Sequence, residues 1–357
     1  MSARVDHLVE QLAGAGVDLM LISDLVNVRY LTGYTGSNGF ALIGPATAEF
    51  VTDFRYLEQA AEEVDASFTR RRASQDLLDA VEELLPEGSV RLGFEDSYVS
   101  VREHARLREL LPDRVELVGV TGLVEGLREV KEPAEVARIR AAVGLADAAF
   151  HWLMGEGLIG RTERELALSL EVKMREHGAS APSFDSIVAG GAHGALPHAT
   201  PRDVPVSRGD LVVIDWGARL DGYCSDCTRT VATGEPGEQA RAVYQLVLEA
   251  QLAGVQGVRA SAGVREVDTR ARAVIKNGGQ GEHFGYGLGH GVGLDIHEAP
   301  RLSQRSDDVL RAGNVVTVEP GIYLPGRFGV RIEDLVVVGE DGCEILTSVS
   351  KELLVVD

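Results

Sequence analysis

Three carboxylates in this chain stand inside or at the ends of apolar stretches that otherwise read as buried strands. Asp215 ends the run Leu-Val-Val-Ile, and Glu319 ends Val-Val-Thr-Val ahead of a Pro-Gly turn. Glu333 lies within Val-Arg-Ile-Glu-Asp-Leu-Val-Val-Val. An ionised carboxylate in such surroundings is costly unless something positive meets it. Asp226 joins the group through a hairpin. Asp221-Gly222 is a strong two-residue turn signal, and with those residues as the turn Leu220 pairs with Tyr223. Asp215 then lies opposite Thr228, and Asp226 is two residues from Thr228 on the same face. Such diagonal neighbours sit about 7–8 Å apart, close enough for both carboxylates to grip one ion. Two buried anions on one sheet face would otherwise repel, so a metal site is the economical reading. For Glu333 the plainer alternative is an ion pair with Arg331, its neighbour on the same face.

A second stretch limits the backbone itself. From Gly285 to Gly293 every odd position is glycine, with Phe284, Tyr286, Leu288, His290 and Val292 at the even ones. Read as an extended strand, it has one bare face and one face carrying a histidine. Glycine weakens a strand, so the run points to backbone passing very close to a ligand or another segment. The alternative is a flexible loop with two incidental histidines, His290 and His297. Added to the carboxylates, His290 gives a mostly oxygen, one-nitrogen donor set. That set suits hard or borderline ions such as Mn²⁺ better than a thiolate zinc site does. Five protein ligands suit two ions with bridging carboxylates more comfortably than one.

Composition removes several function classes. The 357 residues are 45% hydrophobic and 25% charged, the balance of an ordinary globular protein. A net charge of −20 argues against nucleic acid and anionic membranes as partners. No basic segment followed by an apolar one opens the chain, and no apolar run approaches membrane-spanning length. The expected location is therefore cytoplasmic. Cys224, Cys227 and Cys343 cannot build a disulfide framework, and the C-x-x-C of the first two has no second pair to complete a structural zinc site. They read as small core or strand residues.

In chain order, Val5, Leu8, Val9, Leu12 and Ala15 mark an amphipathic helix. Leu19–Ile22, Asn27–Leu31 and Phe40–Ile43 read as extended. Asp53–Glu63 and Gln75–Leu85 read as helical, Val90–Phe94 as a strand, Val101–Leu111 as a helix and Val115–Val120 as a strand. This alternation predicts an α/β domain over residues 1–122, followed by a linker at 123–131. Pro133 suits the first turn of a helix running to about Leu153. Thr162-x-x-Glu165 is a capping box that opens another, closed by Gly178. Ser183–Gly191 reads as loop and Leu211–Gly217 as a strand. Helices follow near Glu238–Val258 and Val264–Asn277. The glycine-alternating strand, Val315–Val318, Val330–Val338 and Leu353–Val356 come next. Residues 132–357 thus form an α+β domain with a largely antiparallel sheet.

The sequence holds no G-K-[ST], G-x-S-x-G or H-E-x-x-H, and its one G-x-G-x-x-G, Gly155 to Gly160, follows a helical pattern rather than a strand, which removes the phosphate-cradle, serine-hydrolase and zincin readings. What it does hold, in V-V-I-D-W-G, Y-C-S-D-C-T-R-T, G-H-G-V-G-L-D-I-H-E-A-P, T-V-E-P-G-I-Y and G-V-R-I-E-D, resembles the M24 metallopeptidases of the pita-bread fold. That family includes methionine aminopeptidase, aminopeptidase P, prolidase and creatinase. Asn27-Val28-Arg29-Tyr30-Leu31-Thr32-Gly33 and Thr52-Asp53-Phe54-Arg55 are similar to the creatinase/prolidase N-terminal domain, which narrows the match to the proline-directed branch.

The resemblance implies a curved, largely antiparallel catalytic sheet and two divalent ions, Mn²⁺ foremost, with Co²⁺ or Zn²⁺ as alternatives. Asp215 would chelate one ion, His290 and Glu319 the other, and Asp226 and Glu333 would bridge them. A hydroxide between the ions would attack the scissile carbonyl, with Glu319 passing its proton to the leaving proline nitrogen. His198 and His297 match the two non-ligand histidines, one steadying the oxyanion and one meeting the substrate backbone or carboxylate. Arg331 would brace the bridging carboxylates from behind. His193, His177, His151 and His283 are left as incidental. The implied activity is cleavage of the Xaa-Pro bond at the N-terminus of short peptides, by a homodimer. A dipeptidase (prolidase) is preferred over an aminopeptidase P acting on longer peptides. How far the N-terminal domain, a partner subunit's, closes the cleft would separate the two. Creatinase-like C–N hydrolysis and a non-catalytic peptide- or histone-binding module are weaker readings, because both predict lost ligands.

Overall fold

Hydrophobic strands at the start of the chain find each other as their pattern dictates. In the computed structural model, which describes residues 3–73 and 76–356, Leu19–Ile22 is buried on both faces at the centre of a six-stranded sheet. The order across that sheet is Thr69–Arg72, Thr47–Thr52, Phe40–Gly44, Leu19–Ile22, Val90–Glu95 and Val115–Val120. Leu19–Ile22 pairs antiparallel with Phe40–Gly44 and parallel with Val90–Glu95, so the sheet is mixed. Helices such as Ala3–Leu12 and Val101–Leu110 bury Leu8 and Leu107. This is the α/β unit, and the chain divides from it between Arg128 and Glu129.

Several local readings change. The segment Asn27–Leu31 is not extended but lies in the helix Leu25–Thr32. Asp24 caps it by accepting from the Val26 N–H at 3.0 Å, and Gly33 closes it in the left-handed region at φ 84°. Asn27 faces inward, donating to Glu95 at 2.7 Å and accepting from Arg128 at 2.7 Å, so a polar residue occupies a core position. Thr47–Thr52 and Thr69–Arg72 are strands that the apolar pattern did not mark. The second is four exposed residues, Thr-Arg-Arg-Arg, at a sheet edge. Leu77–Leu84 is a 3₁₀ turn followed by a single helical turn rather than one helix, and Gln75 lies outside the described residues. Residues 123–131, expected as linker, include the helix Leu123–Arg128.

The C-terminal unit carries four longer helices, Pro133–Glu156, Glu163–Glu176, Glu238–Gly257 and Val264–Asn277. They pack as two pairs, and among the described residues no helix is long and apolar enough to cross a membrane. Against the first pair lies the sheet Val355–Val356, Cys227–Thr233, Leu211–Trp216 and Ile187–Gly190. Trp216 anchors it, stacked 4.4 Å from Phe150 with its indole N–H donating to the Ala146 carbonyl at 2.9 Å. Against the second pair lies the sheet Glu298–Leu302, Gly289–Gly291, Val315–Val318, Asp334–Val338 and Cys343–Ile345. Except for the final Val355–Val356 pairing, the partners in these two sheets run antiparallel. The unit is α+β, as its pattern predicts.

Three differences matter for the site. Within the expected loop 183–191, Ile187–Gly190 is a strand that sets Ile187 opposite Asp215. The expected strand Val330–Val338 is two, Phe328–Arg331 and Asp334–Val338. They part at Glu333, whose N–H turns to the Thr228 carbonyl of the neighbouring sheet at 3.1 Å. Of the glycine-alternating run only Gly289–Gly291 is strand.

Candidate metal centre

The hairpin around Asp221-Gly222 sets the first two acids. Asp221 at φ 48° and Gly222 at φ 81° both adopt the positive values that a tight two-residue turn needs. The strands leave the turn with Leu220 opposite Tyr223, and Asp215 comes to lie opposite Thr228. The break at Glu333 brings a third acid against them. Ligand atoms of Asp215, Asp226 and Glu333 all lie within 4.8 Å of one another.

His290 and Glu319 close the group from the other sheet. The His290 Nε2 stands 3.3 Å from Glu319 Oε1 and 3.6 Å from Asp226 Oδ2. Its Nδ1 faces the Gly291 carbonyl at 3.1 Å, an acceptor, so that nitrogen carries a proton, and a neutral ring would then turn an Nε2 lone pair to the carboxylates. A lone pair facing carboxylate oxygens is a set of donors without an acceptor. The Thr317 hydroxyl donates to Glu319 at 3.1 Å and accepts from the His290 N–H at 3.0 Å, which locks the two side chains into one frame. Glycine makes that delivery possible. A Cβ on Gly289 would lie 2.0 Å from the Thr317 carbonyl oxygen, and one on Gly291 would lie 2.2 Å from that of Ala299. Gly289→Ala is therefore expected to cost about 1–3 kcal/mol of stability through overpacking. A denaturation midpoint equal to the parent's would refute the steric argument.

The electrostatics confirm that these acids are under strain as a bare cluster. Burial, then repulsion from neighbouring carboxylates, pushes Asp226 and Glu333 well above the usual carboxylate range. Asp215 also rises through burial, against the pull of Arg331. Glu319 is the exception: burial would raise it, but in the metal-free cluster a hydrogen bond from, and the charge of, a charged His290 hold it below its ordinary value. Asp215 Oδ1 and Glu333 Oε1 are buried without a hydrogen-bond partner. Orphaned carboxylate oxygens beside an imidazole nitrogen fit divalent cations held by oxygen and nitrogen.

Arg331 is placed differently from the expectation. Its guanidinium donates to Asp215 at 2.5 Å and to the Thr228 hydroxyl at 2.9 Å, and not to Asp226 or Glu333. The link to Glu333 is indirect, because the Thr228 hydroxyl donates to its Oε2 at 2.7 Å. The ion pair of Arg331 with Glu333 is accordingly replaced by one with Asp215.

A cavity of about 760 Å³ opens onto this cluster, and both His198 and His297 line it. The rings of His290 and His297 lie 4.4 Å apart. Burial and the neighbouring His290 lower the His297 pKa, which favours its neutral ring. The sequence reading passed over Arg301, which also lines the cavity from the position opposite His290. It also missed Tyr286 and Tyr323, whose hydroxyls lie 2.9 Å apart, the latter accepting from Arg331 at 2.7 Å. Thr228 was within reach of sequence reasoning, since the hairpin register names it. The two tyrosines lie within motifs the sequence marks, but their pairing forms only across the fold. His193 is also not incidental: it pairs with Glu163 at 2.9 Å.

Comparison with known proteins agrees with this geometry. The pattern of metallopeptidase family M24 matches residues 137–340, and that of the creatinase/prolidase N-terminal domain matches residues 4–130. The Xaa-Pro dipeptidase of Pyrococcus furiosus is 37% identical over 359 residues, covering 99% of this chain and 100% of that one. The solved Xaa-Pro dipeptidase from Bacillus anthracis superposes with a TM-score of 0.96 at 40% identity, covering 99% of each chain. An X-Pro aminopeptidase from Thermotoga maritima superposes with a TM-score of 0.91 at 38% identity, covering 99% of this chain and 100% of that one. A C-terminal unit with clustered strand-borne acids, preceded by a creatinase-type N-terminal domain, places the chain in metallopeptidase family M24.

Proposed function

We propose that this protein is a dinuclear metal-dependent Xaa-Pro dipeptidase whose catalytic domain spans residues 132–357. The observation that carries the reading is the buried cluster with its two orphaned oxygens and His290 Nε2 beside it, lining a substrate-sized cavity. Asp215, Asp226, His290, Glu319 and Glu333 would hold the ions, with Mn²⁺ the ion of choice for so oxygen-rich a set. When bound, the cations supply an activated water and charge stabilisation for the developing oxyanion.

The chain's own residues would do the rest. Glu319, in the cluster beside His290, can take a proton and pass it to the departing proline nitrogen. His297 as a neutral imidazole can donate one N–H to the oxyanion, and His198 can meet the substrate from the other lining segment. Arg301 supplies a cation in the cavity, matching the free carboxylate that a dipeptide presents directly after proline. That match and the similar dipeptidases favour short substrates. The similar X-Pro aminopeptidase supports the second reading, cleavage of longer peptides. A homodimer in the cytoplasm is part of the same proposal, supported by family resemblance.

Assays with Ala-Pro, Leu-Pro and a longer Xaa-Pro-Xaa peptide, with Mn²⁺ and with chelator, test both. Dipeptide cleavage lost on chelation is the expected result. Chelator-insensitive activity would sink the dinuclear mechanism, and cleavage of only the longer peptide would sink the dipeptidase assignment.

A further inference from the structure

One buried carboxylate ties both ends of the segment that carries His198. Glu163 opens the helix Glu163–Glu176 and is only 2% exposed. Its Oε1 accepts from the Gly190 N–H at 3.0 Å, and its Oε2 from the Arg202 N–H at 3.0 Å. The Arg202 guanidinium adds bonds to both oxygens at 3.0 and 3.1 Å. His193, from inside the segment, sets Nδ1 at 2.9 and 3.0 Å from the two oxygens. A carboxylate only accepts, so that nitrogen carries the proton. Burial would raise the Glu163 pKa, but these donors, Arg202 foremost, hold it below the ordinary glutamate value. The carboxylate is saturated, which leaves it no capacity for a ligand and gives it a mechanical task.

What it holds is connected to the metal centre. Between Gly190 and Arg202, the Pro197 carbonyl accepts from Arg331 at 3.1 Å, and Arg331 in turn holds Asp215. His198 follows at once and lines the cavity. We propose that Glu163 and His193 are positioning residues for His198: they fasten segment 190–202 so that His198 faces substrate and the Pro197 carbonyl engages Arg331. The inference rests on the reading of His198 as a substrate-facing residue. A misplacement of about 1 Å at such a group can cost up to about 10²-fold in rate.

The test uses the full chain loaded with Mn²⁺ and Ala-Pro as substrate. His193→Ala is expected to lower kcat/KM about tenfold, with bound Mn²⁺ per chain unchanged. His193→Asn places an amide N–H close to where Nδ1 stood and should stay within about threefold of the parent. Glu163→Gln sets an amide against the donors and should lose at least as much as His193→Ala; if it fails to fold, the His193 pair decides. In a His198→Ala background the His193→Ala loss should shrink to less than about twofold, the signature of action through one residue. Equal activity of His193→Ala and parent, equal losses in the Ala and Asn variants, or an undiminished loss without His198 would each overturn the proposal. An inactive parent would instead overturn the dipeptidase reading, and an inert His198→Ala the role given to His198, so the failures are distinguishable.

Discussion

Asp226→Asn is expected to abolish Xaa-Pro hydrolysis, lowering kcat by about 10³-fold or more, because it would remove a proposed oxygen ligand from the middle of the cluster. Asp226 is the acid that touches both halves of the site. It shares the 4.8 Å group with Asp215 and Glu333, and its Oδ2 lies 3.6 Å from His290 Nε2. An amide keeps the shape and gives up the charge, so the fold is expected to survive. Repulsion from Glu333 and Asp215 is among the forces that push Asp226 upward, and the substitution relieves it. The metal-free variant should therefore be no less stable than the metal-free parent. Measured together, turnover, bound metal per chain and the melting temperature of the metal-free forms check the argument. Near-parental turnover would refute the bridging role.

The second large effect is on stability, and its sign follows from the same acids. In the metal-free protein Asp226, Glu333 and Asp215 have folded pKa values above those of unfolded carboxylates, which lie at about 3.9–4.3. Above that unfolded range the native state binds more protons than the unfolded chain. Stability then falls as pH rises, by about 1.4 kcal/mol per pH unit for each proton so held, until the folded values are passed. Glu95, pushed up to about 7 by burial, adds a slope of the same sign that does not depend on metal. His297, lowered from 6.5, opposes with one proton between its lowered value and 6.5. Acids held low by partners, such as Asp334 beside Arg229, act only below the unfolded range.

Metal bound at the proposed site would reverse the slope from the cluster, because ligation would require these groups deprotonated. The rise in melting temperature on adding Mn²⁺ to chelator-treated protein should accordingly grow from pH 5 to pH 8. Glu95 contributes to both forms and cancels in that difference. A Mn²⁺-induced rise of equal size at every pH would show that the cluster does not bind its protons as its burial demands.

Much of this was legible before any coordinates, where the cause was local. Asp221-Gly222 alone fixed which residues face each other across the hairpin, and Thr162-x-x-Glu165 marked the start of its helix, because turns and caps are decided within a few residues. The donor residues stood out because acids interrupt apolar runs. What sequence could not supply was contact across the fold. Arg331 has Glu333 two positions away, yet its guanidinium meets Asp215, because the backbone turns at Glu333 toward the Thr228 carbonyl. The helix Leu25–Thr32 was misread because its inward residue, Asn27, is polar and earns its burial from Glu95 and Arg128 far along the chain. Thr69–Arg72 forms a strand with no apolar residue, since a neighbouring strand's free edge supplies the pairing.

The glycines that deliver His290 carry one more consequence. In a linker, such an alphabet means slack. Here it records crowding: at Gly289 and Gly291 the space a methyl would need is already filled by carbonyl groups of adjoining strands, while at Gly285 nothing stands within 4 Å. The same residue type thus marks the least forgiving positions of the run and one of its most permissive, within a few residues. His290 inherits the rigidity of the former, and its imidazole has a fixed address before any ion arrives.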